Sequence, residues 1–260
     1  MKFSEIGEYA RLGLLVENPI ELSRAKHTEG DLCARFRDGR RLQMHGGHSD
    51  IHTFRRVFLT DEYRLRRGPW DTVLDLGGNI GCVALRVARS ARRVIVYEPD
   101  PLNLAMLTHN LAGLDNVVVV PEAVAGERGH RKLHVAGSGR WGTRSTLFHD
   151  VQAARLNAAD TEVEVAVTTL DALFATHQIE RCDLLKIDVE GAEYEIFAAA
   201  SKDTFARIER IVGEYHDVFP EDPRTRIATF RASLEQLGFR VETKPSRKWE
   251  NQGLFFAQRA

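Results

Sequence analysis

From residue 71 onward, the chain alternates short apolar runs with longer amphipathic segments. The short runs are rich in β-branched residues and predict buried strands. Several of the longer segments repeat apolar residues at spacings of three and four, which predicts helices. The predicted strands are residues 73–76, 94–97, 117–120, 184–187 and 208–212, followed by a terminal antiparallel hairpin of 239–243 with 254–258; the predicted helices are 82–91, 101–112, 192–200 and 224–237. This alternation indicates an α/β fold, a doubly wound sheet covered by helices on both faces.

Residues 1–70 show a different pattern and predict an N-terminal α+β extension. A short helix is followed by a hairpin that turns at Asp38-Gly39, and then by an amphipathic helix over residues 51–64. Gly68-Pro69 interrupts the chain after that helix. We therefore predict an extension, or cap, over residues 1–70 and a main domain over residues 71–260.

A glycine turn follows the first strand of the main domain. The strand runs into Gly77-Gly78-Asn79-Ile80-Gly81, which opens the first helix. Glycines at such a turn allow positive φ angles and a close approach of a ligand to the backbone. The second strand ends at Glu98, 21 residues after Gly77, where a carboxylate can accept hydrogen bonds from both ribose hydroxyls of a nucleoside. The order of strand, turn, helix, strand and acid predicts a nucleoside-binding site.

Asp75 indicates which nucleoside to expect. Dinucleotide-binding turns read G-x-G-x-x-G and place a helix N-terminus against a pyrophosphate. Asp75 stands where the first of these glycines would be, and a carboxylate there would repel a pyrophosphate. It suits a cationic ligand such as S-adenosylmethionine, whose sulfonium and ammonium groups it could contact directly or through water. The pattern therefore favours S-adenosylmethionine over a nicotinamide cofactor.

The same stretch of sequence resembles a known enzyme family. Residues 73–81 resemble motif I of class I methyltransferases, and residues 183–193 resemble the signature of the FkbM family. The resemblance implies a seven-stranded sheet in the order 3-2-1-4-5-7-6. It also implies methyl transfer from S-adenosylmethionine, most often to hydroxyl oxygens of sugars, polyketides or other small metabolites, and in some related enzymes to nitrogen. The resemblance covers about residues 50 to 257 and includes Asp50-Ile51, Phe58, Glu62-Tyr63, Tyr97-Glu98-Pro99 and Glu214-Tyr215-His216.

Matching the cofactor positions of that family to this chain implies a set of binding residues. Asp75, Gly77, Asn79 and Gly81 would form the glycine turn at the cofactor, Glu98 would bind the ribose and the Glu122-Ala123 region would bind the adenine. Asn79 stands where many methyltransferases have another glycine, and asparagine accepts left-handed geometry better than most residues. The cofactor-binding residues expected are Asp75, Gly77, Gly78, Asn79, Gly81, Glu98, Pro99, Glu122, Ala123, Asp188 and, on the predicted helix over 51–64, Tyr63.

Four polar residues at the carboxyl ends of predicted strands are the catalytic candidates, since ligands of open parallel sheets bind there. They are His216, Asp188, Glu190 and Glu214. An alcohol is a weak nucleophile that a nearby base assists, and Glu214 could orient the imidazole of His216 from the same strand face. Each has a structural alternative: His216 could be a satisfied core histidine, and Glu190 could stabilise the next helix N-terminus. Glu193 is expected to face solvent or form a structural pair.

Two loops supply candidates for holding the acceptor. The loop over residues 136–146 suits a lid or an ordinary surface loop, and its arginines could contact a phosphate or carboxylate, as on a nucleotide-linked sugar. The loop over residues 244–252 contains Trp249, which is either a platform for the substrate or a packing residue. The substrate-binding candidates are Trp141, Arg144, Ser145, Trp249 and Asn251.

Metal sites are not favoured. The histidines near Asp50 and the three cysteines match no recognised ligand spacing. Cys82 and Cys182 lie in apolar stretches and are expected to be buried, and the cysteines are expected to be reduced. Asp188 and Glu190 could hold a divalent cation that activates a hydroxyl, but no metal ligand is predicted. The residues concerned are His45, His48, His52, Asp50, Cys33, Cys82 and Cys182.

Composition narrows the remaining possibilities. Lys and Arg number 36 against 37 Asp and Glu, which argues against an extended phosphate-binding surface. The chain has no Pro-Cys pair of the kind that cytosine methylation needs. No apolar run approaches the length of a membrane span, and the first residues carry charges where a signal peptide would be apolar. We expect a cytoplasmic protein without nucleic-acid or membrane partners, and a homodimer is an open alternative.

The sequence therefore predicts methyl transfer from S-adenosylmethionine to a hydroxyl of a small polar metabolite, with S-adenosylhomocysteine as the product. A sugar or a glycosylated natural product is the favoured acceptor. One alternative is N-methylation of an amino sugar or another amine. A second is a protein that keeps the cofactor pocket and binds without turnover.

Overall fold

The computed structural model of the chain describes residues 3–24, 30–46, 48–65, 68–135, 145–147, 161–217, 223–248 and 251–260. In chain order, the strands are β1 (Leu32–Arg35), β2 (Arg41–Met44), β3 (Trp70–Leu76), β4 (Ala91–Tyr97), β5 (Val117–Val120), β6 (Ala123–Val124), β7 (Gly129–Val135), β8 (Ser145–Thr146), β9 (Thr161–Thr168), β10 (Leu184–Ile187), β11 (Arg210–His216), β12 (Phe239–Pro245) and β13 (Gln252–Arg259). The α-helices are α1 (Phe3–Leu15), α2 (Pro19–Arg24), α3 (His48–Phe54), α4 (Cys82–Val87), α5 (Pro101–Leu111), α6 (Leu170–Thr176), α7 (Glu193–Ala199), α8 (Lys202–Ala206) and α9 (Pro223–Gln236).

Seven strands form the main sheet, in the order β12-β13-β11-β10-β3-β4-β5. Numbered within this sheet and read from the β5 edge, the order is 3-2-1-4-5-7-6, which confirms the expected class I methyltransferase topology. The strands β3, β4, β5, β10 and β11 pair in parallel, whereas β13 runs antiparallel to both β11 and β12. The predicted terminal hairpin is therefore confirmed as well.

The central strands are buried on both faces, which explains why they appear as continuous apolar runs in the sequence. In β3, Val73 packs into one hydrophobic cluster and Leu74 into another. The first cluster contains residues of α4 and α5, and the second contains residues of α6 and α7. Because successive side chains of a strand point to opposite faces, the sheet separates these two cores. Each fully buried leucine or valine contributes about 1.5–3 kcal/mol relative to an exposed one.

The register of the parallel strands brings three chain segments to one edge of the sheet. Leu76, the last residue of β3, lies opposite both Tyr97 and Ile187, the last residues of β4 and β10. The residues that follow these strands are Gly77, Glu98 and Asp188. The register of the parallel strands therefore places the glycine turn, Glu98 and Asp188 next to one another.

The N-terminal residues form the predicted helix and hairpin, but the second amphipathic helix is shorter than expected. It runs as α3 and then as a π-helical turn, Arg55–Leu59, rather than to residue 64. Asp61 and Arg64 have φ angles of 50° and 56°, which an α-helix does not allow. Tyr63 therefore lies in a loop, where its direction is set by contacts with the main sheet.

The extension shares its hydrophobic core with the main domain. Phe36, Phe54 and Phe58 pack against one another, with ring centroids 4.8–6.1 Å apart. They belong to the same buried cluster as residues of α4 and β3. The boundary at residue 70 stays a prediction, because no gap in the core marks it.

A second sheet, absent from the sequence prediction, covers one side of the cavity described below. Its order is β6-β9-β7-β8, with β7 and β9 paired over seven positions. Val163, Val165 and Val167 alternate with more polar residues along β9, a strand pattern of period two. The helices α2, α6 and α8 were also not predicted, and all three are short.

Candidate active site

A cavity opens at the carboxyl edge of the main sheet, beside the ends of β3, β4 and β10. Its volume is about 640 Å³ with the open mouth included, which is within the usual range of small-molecule sites. It brings residues of the glycine turn together with acidic residues from the ends of β4 and β10. The lining residues are Gly77, Asn79, Tyr97, Glu98, Pro99, Asn103, Glu122, Ala123, Val124, Leu133, Ser145, Leu147, Asp188, Val189 and Glu190.

The glycine turn is held tightly against the neighbouring strands. The backbone N–H groups of Gly77 and Gly78 both donate to the carbonyl oxygen of Tyr97, each at 3.0 Å. Gly77 has a φ of 78°, and a Cβ atom placed there would lie 1.9 Å from the carbonyl oxygen of Asp188. Only glycine fits this position, because both the backbone conformation and the approach of the next strand exclude a side chain. Asn79 adopts a left-handed φ of 50°.

Glu98 is the most deeply set acid of the cavity wall, with 5% of its surface exposed. Its Oε2 accepts from the N–H of Asn79 at 2.6 Å, and its Oε1 accepts from the N–H of Asp100 at 3.0 Å. Burial raises the pKa of Glu98 to about 7, although these two backbone hydrogen bonds lower it. Each carboxylate oxygen keeps a further lone pair that can accept a hydrogen bond. The side chain therefore joins the glycine turn to the end of β4 and still offers acceptors to a ligand.

Asp75 has a different partner from the one that the sequence suggested. Its side chain is completely buried and is not part of the cavity wall. Its Oδ1 lies 3.1 Å from Nζ of Lys186, which also donates to the carbonyl oxygen of Gly77 at 2.6 Å. Burial would lower the pKa of Lys186, but Asp75 and Asp188 raise it, so the ammonium stays charged. Asp75 thus forms an ion pair that supports the glycine turn, and its contact with the cofactor, direct or through water, stays a prediction.

Tyr63 connects the N-terminal extension to acidic residues of β11 and of the segment that follows β10. The hydroxyl of Tyr63 lies 3.1 Å from Oδ2 of Asp188 and 3.2 Å from Oε1 of Glu214, and it can donate to either oxygen. Burial and the neighbouring Asp188 raise the pKa of Tyr63 well above its ordinary value, so the phenol keeps its proton. Burial would raise the pKa of Asp188, but Lys186 and His216 hold it below its ordinary value. Tyr63 is thus a hydrogen-bond donor that links two catalytic candidates.

Arg56, which the sequence prediction missed, also reaches this network. Its guanidinium forms ion pairs with Glu62 and Glu214 and lies 5.4 Å from the centre of the Tyr63 ring. Arg56 lies in the π-helical turn that ends the helix of the extension. Turns of this kind are frequent at functional sites, but they leave no clear mark in the sequence.

His216 is almost fully buried, at 4% exposure, and is oriented by a residue other than the one expected. Its Nδ1 lies 3.0 Å from Oε1 of Glu193, whereas Glu214 approaches Nε2 at 3.6 Å. Oε2 of Glu190 lies 3.6 Å from the same Nε2. Glu193 is completely buried, which excludes the solvent-facing alternative and leaves the structural pair. Oε2 of Glu190 faces the imidazole, and the alternative in which Glu190 stabilises the N-terminus of α7 stays a prediction.

The protonation of His216 bears on its predicted role as a base. Burial would lower the pKa of the imidazole, but Glu190 and Glu193 raise it to about 9. A ring that already carries its second proton at neutral pH cannot accept another. The arrangement therefore favours His216 as a hydrogen-bond donor and leaves proton acceptance to the carboxylates.

The substrate-binding candidates are only partly described by the structure. Ser145 lies in the cavity wall, and its hydroxyl donates to Asp100, which caps the N-terminus of α5. Asn251 is exposed, and its backbone carbonyl oxygen accepts from the backbone N–H of Asp217 at 2.7 Å. Trp141, Arg144 and Trp249 lie outside the described residues.

Among the described residues, one cluster has the spacing of a metal site. Ligand atoms of Asp188, Glu193 and His216 lie within 4.8 Å of one another. The two oxygens of Glu193, however, already accept from the N–H groups of Val189 and Gly191, and one of them also faces His216. These hydrogen bonds account for the cluster without an ion.

His45, one histidine of the predicted cluster, forms a pair with Asp50, whereas the side chain of His48 lies outside the described residues. Nδ1 of His45 lies 3.0 Å from Oδ2 of Asp50, and the same oxygen accepts from the N–H of His45 at 2.9 Å. The pair closes the turn after β2. The cysteines Cys33, Cys82 and Cys182 are free thiols, and the last two are buried.

Comparison with known proteins identifies the family. The model of the FkbM methyltransferase domain matches residues 75–241, which include the glycine turn, Glu98, Asp188 and His216. The chain belongs to the FkbM methyltransferase family. As an FkbM enzyme, it is an S-adenosylmethionine-dependent methyltransferase, and the nicotinamide alternative is excluded.

Two curated FkbM relatives share the main domain. The chain is 30% identical over 193 residues to the 31-O-demethyl-FK506 methyltransferase FkbM of Streptomyces tacrolimicus, a match that covers 64% of this chain and 74% of the relative. It is 25% identical over 225 residues to the 2-O-methyltransferase NoeI of Sinorhizobium fredii, covering 82% and 83%. Among solved structures, an rRNA methylase from Streptococcus thermophilus aligns with a TM-score of 0.47 and 12% identity, over 79% of this chain and 96% of the other. No helix that the structure describes is long and apolar enough to cross a membrane.

The cavity of this FkbM protein fits the cofactor that the family implies. Gly77 contributes only backbone to the cavity wall, and the buried Glu98 presents acceptors for hydroxyl groups. Glu122 and Ala123 line the part of the cavity expected to hold the adenine. Among the described lining residues, the polar groups are carboxylates and uncharged side chains rather than a cluster of cations, which suits a nucleoside without phosphates.

We expect cofactor affinity to depend on pH through Glu98. In the predicted binding mode the ionised carboxylate accepts the ribose hydroxyls, so binding would favour the charged form and release a proton where Glu98 is still protonated. With a pKa of about 7, affinity is full above that pH and falls below it, by about tenfold between pH 8 and pH 6. Calorimetry with S-adenosylhomocysteine, in buffers of different ionisation enthalpy, measures both the affinity and the proton release.

The control for this experiment is Glu98→Gln, which cannot titrate. Its weaker binding should vary by less than twofold over the same range. A wild-type affinity that stays constant from pH 8 to pH 6, or an equal pH dependence in the variant, would contradict the role given to Glu98.

Proposed function

We propose that the protein methylates a hydroxyl group of a small polar acceptor, and that this acceptor is a sugar or a glycosylated natural product. The supporting observation is the composition of the cavity wall. Glu98, on the ribose side, lines the same cavity as Asp188 and Glu190. A methyl donor held by the glycine turn and Glu98 therefore lies beside carboxylates that are suited to bind hydroxyl groups.

The names of the two relatives support oxygen over nitrogen as the methylated atom. One is a 31-O-demethyl-FK506 methyltransferase and the other a 2-O-methyltransferase. Both names specify transfer to oxygen. Transfer to oxygen is therefore part of the proposal for this chain. Neither name identifies the acceptor that this chain would methylate.

The cofactor residues of the proposal are those implied by the resemblance, with two changes. Asp75 acts through Lys186, which supports the carbonyl group of Gly77. Tyr63 acts through Asp188, to whose carboxylate it can donate. The residues proposed to contact the cofactor directly are Gly77, Gly78, Asn79, Gly81, Glu98, Pro99, Glu122, Ala123 and Asp188.

The acceptor chemistry follows from the carboxylates at the end of β10. S-adenosylmethionine, when bound, supplies an electrophilic methyl group. Asp188 would accept a hydrogen bond from the acceptor hydroxyl and orient its oxygen, and Glu190 would take up the proton as the C–O bond of the ether forms and the methyl–sulfur bond of the cofactor breaks. His216, as an imidazolium, would donate a hydrogen bond and balance the charge of Glu190 and Glu214. Ser145 lines the wall near these groups and is kept as a candidate contact of the acceptor.

The test is transfer of an isotopically labelled methyl group. The purified protein is incubated with methyl-labelled S-adenosylmethionine and a panel of monosaccharides, nucleotide-linked sugars, glycosylated natural products and amino sugars. Mass spectrometry should find the label on a hydroxyl oxygen of at least one of the first three classes. Label found only on the nitrogen of an amino sugar would support N-methylation instead. Tight binding of S-adenosylhomocysteine with no labelled product would support a binding protein.

Once an acceptor is known, Glu190→Gln should reduce kcat by about a hundredfold, since general bases contribute factors of this size. The affinity for S-adenosylhomocysteine should change by less than twofold, because Glu190 is assigned to the acceptor. Glu195→Gln is the matched control, since Glu195 lies in the next helix and pairs with Arg131 at 2.7 Å, away from His216. An unchanged kcat in Glu190→Gln would remove Glu190 from the mechanism.

A further inference from the structure

Glu193 is a charged side chain with no contact to solvent, and each of its hydrogen bonds leads to a part of the active site. Its Oε1 accepts from the N–H of Val189 at 3.1 Å, and its Oε2 accepts from the N–H of Gly191 at 3.0 Å. Its Oε1 also lies 3.0 Å from Nδ1 of His216. One carboxylate thus binds the turn after β10 and the end of β11 at the same time.

The turn that Glu193 holds has an unusual backbone at Glu190. The φ of Glu190 is 51°, a left-handed conformation that costs a non-glycine residue of this type about 1 kcal/mol or more. The two N–H groups bound by Glu193 belong to the residues on either side of Glu190. The carboxylate therefore acts as a bridge across Glu190 and keeps its side chain at the cavity wall.

The second nitrogen of the His216 imidazole, Nε2, faces two further acids of the active site. If Nδ1–H donates to Glu193, the ring orientation is fixed and Nε2 points toward Oε2 of Glu190 and Oε2 of Glu214, each at 3.6 Å. Nε2 is buried and has no hydrogen-bond partner among the described residues. A carboxylate behind a histidine commonly sets its tautomer and orientation in this way.

We propose that Glu193 is the positioning residue of the acceptor site: it holds Glu190 at the cavity wall through the turn and holds His216 so that Nε2 faces Glu190 and Glu214. The catalytic role of this arrangement rests on the proposed methyl transfer. The hydrogen bonds of Glu193 to the turn and to His216 do not depend on that proposal. Glu193 touches neither the cavity nor the acceptor, so it acts only through these two residues. The sequence offers one hint, since Glu193 closes the segment 183–193.

The charged groups around the imidazole determine what the removal of Glu193 would do. Acidic residues approach it from the end of β10, from α7 and from β11. Two cations lie near these acidic residues: Arg56 pairs with Glu214, and Lys186 pairs with Asp75. The acidic groups are Asp188, Glu190, Glu193, Glu214 and Asp217. Loss of the carboxylate in direct contact should therefore make the ring lose its proton at lower pH.

The experiment is an NMR titration of the histidine ring nitrogens, which needs no acceptor. The His216 signals are assigned by their loss in His216→Gln. In the wild-type protein the ring should carry both protons at pH 7.5. In Glu193→Gln the midpoint of its titration should fall by at least about one pH unit. In Glu195→Gln, the control on the same helix, the midpoint should not move.

A second readout tests the hold on the turn. Amide hydrogen exchange of Val189 and Gly191 should accelerate at least tenfold in Glu193→Gln and remain unchanged in Glu195→Gln. If Glu193→Gln does not fold, Glu193→Asp keeps the charge but shortens the reach, and the same two measurements apply. The proposal is overturned if the His216 midpoint and both exchange rates match the wild type in a folded Glu193 variant.

The kinetic readout separates this inference from the proposed function. With an acceptor identified, Glu193→Gln should lower kcat at least tenfold and leave the Kd for S-adenosylhomocysteine within twofold. A wild-type protein that methylates no hydroxyl would refute the proposed function but leave the titration and exchange results standing. If the His216 midpoint falls in Glu193→Gln as expected but kcat is unchanged, Glu193 is only a structural residue and its positioning role is overturned.

Discussion

Lys186→Met is expected to destabilise the protein by about 3–5 kcal/mol, the loss measured when one member of a buried ion pair is removed. The substitution keeps the length and apolar stem of the side chain but leaves the buried carboxylate of Asp75 without its cation, which lies 3.1 Å away in the native protein. It also removes the donor to the carbonyl oxygen of Gly77 at 2.6 Å. Urea unfolding followed by circular dichroism measures the change in the free energy of unfolding.

The pH dependence of this loss has a definite sign. An unpaired buried carboxylate has a pKa above that of the unfolded chain, so the folded state binds the proton more tightly. The destabilisation of Lys186→Met should therefore shrink as the pH falls from 8 to 5. A loss that stays constant over this range would mean that the charge of Asp75 is not its cause.

Two variants serve as controls for Lys186→Met. Lys132→Met removes an exposed lysine whose Nζ lies 2.8 Å from Oε2 of Glu162, and it should leave stability unchanged, because solvent screens such pairs. The double variant Asp75→Leu/Lys186→Met removes both buried charges and should recover at least half of the lost stability. If the double variant is less stable than Lys186→Met alone, the pair is not the source of the effect.

The sheet and the cofactor turn could be predicted because their signals are local. A parallel strand buried on both faces, such as β3, is a continuous apolar run, and the turn that follows it needs glycine at Gly77. The strand order came from the family resemblance rather than from the pattern alone. The small second sheet was missed, although the alternation of Val163, Val165 and Val167 along β9 is a strand pattern; two of its other strands, β6 and β8, are only two residues long.

The partners of the charged residues could not be predicted, because they depend on how distant segments meet. Asp75 looked like a ligand contact when only its position in the turn was known, and Lys186, a neighbour across the sheet, changed that interpretation. In the same way, alternation along β11 assigned Glu214 to His216, whereas the ring is held by Glu193 from another element. A sequence pattern indicates on which face of a strand or helix a side chain lies, but it does not identify the oppositely charged residue that contacts it.

The residues of the N-terminal extension illustrate the same limit. Tyr63 was expected to meet the cofactor from a helix, but the helix ends at Leu59 and the tyrosine reaches Asp188 from a loop. Arg56 enters the site only because the π-helical turn directs it toward Glu214. The extension is therefore part of the site's hydrogen-bond network, a role that its own sequence pattern does not reveal.

Glu98→Gln is expected to weaken binding of S-adenosylhomocysteine by about a hundredfold or more. Hydrogen bonds to a charged group contribute about 1.5–3 kcal/mol each, and the proposed site uses the carboxylate for two ribose hydroxyls. Glutamine keeps the size of the side chain, but it loses the charge and one acceptor oxygen, while the N–H groups of Asn79 and Asp100 still need acceptors. Calorimetry measures the Kd, and a thermal unfolding curve checks that the variant is folded.

The contact with the ribose is tested by changing the ligand as well as the protein. A 2′-deoxy analogue of S-adenosylhomocysteine should bind the wild-type protein at least tenfold more weakly than the natural ligand, but should bind Glu98→Gln with nearly the same Kd as that ligand. Such non-additivity is the mark of two groups in direct contact. Asp115→Asn, which changes an exposed acid after α5, should bind both ligands as the wild type does. If the losses from Glu98→Gln and from the deoxy analogue simply add, Glu98 does not hold the ribose, and the orientation proposed for the cofactor in this cavity is wrong.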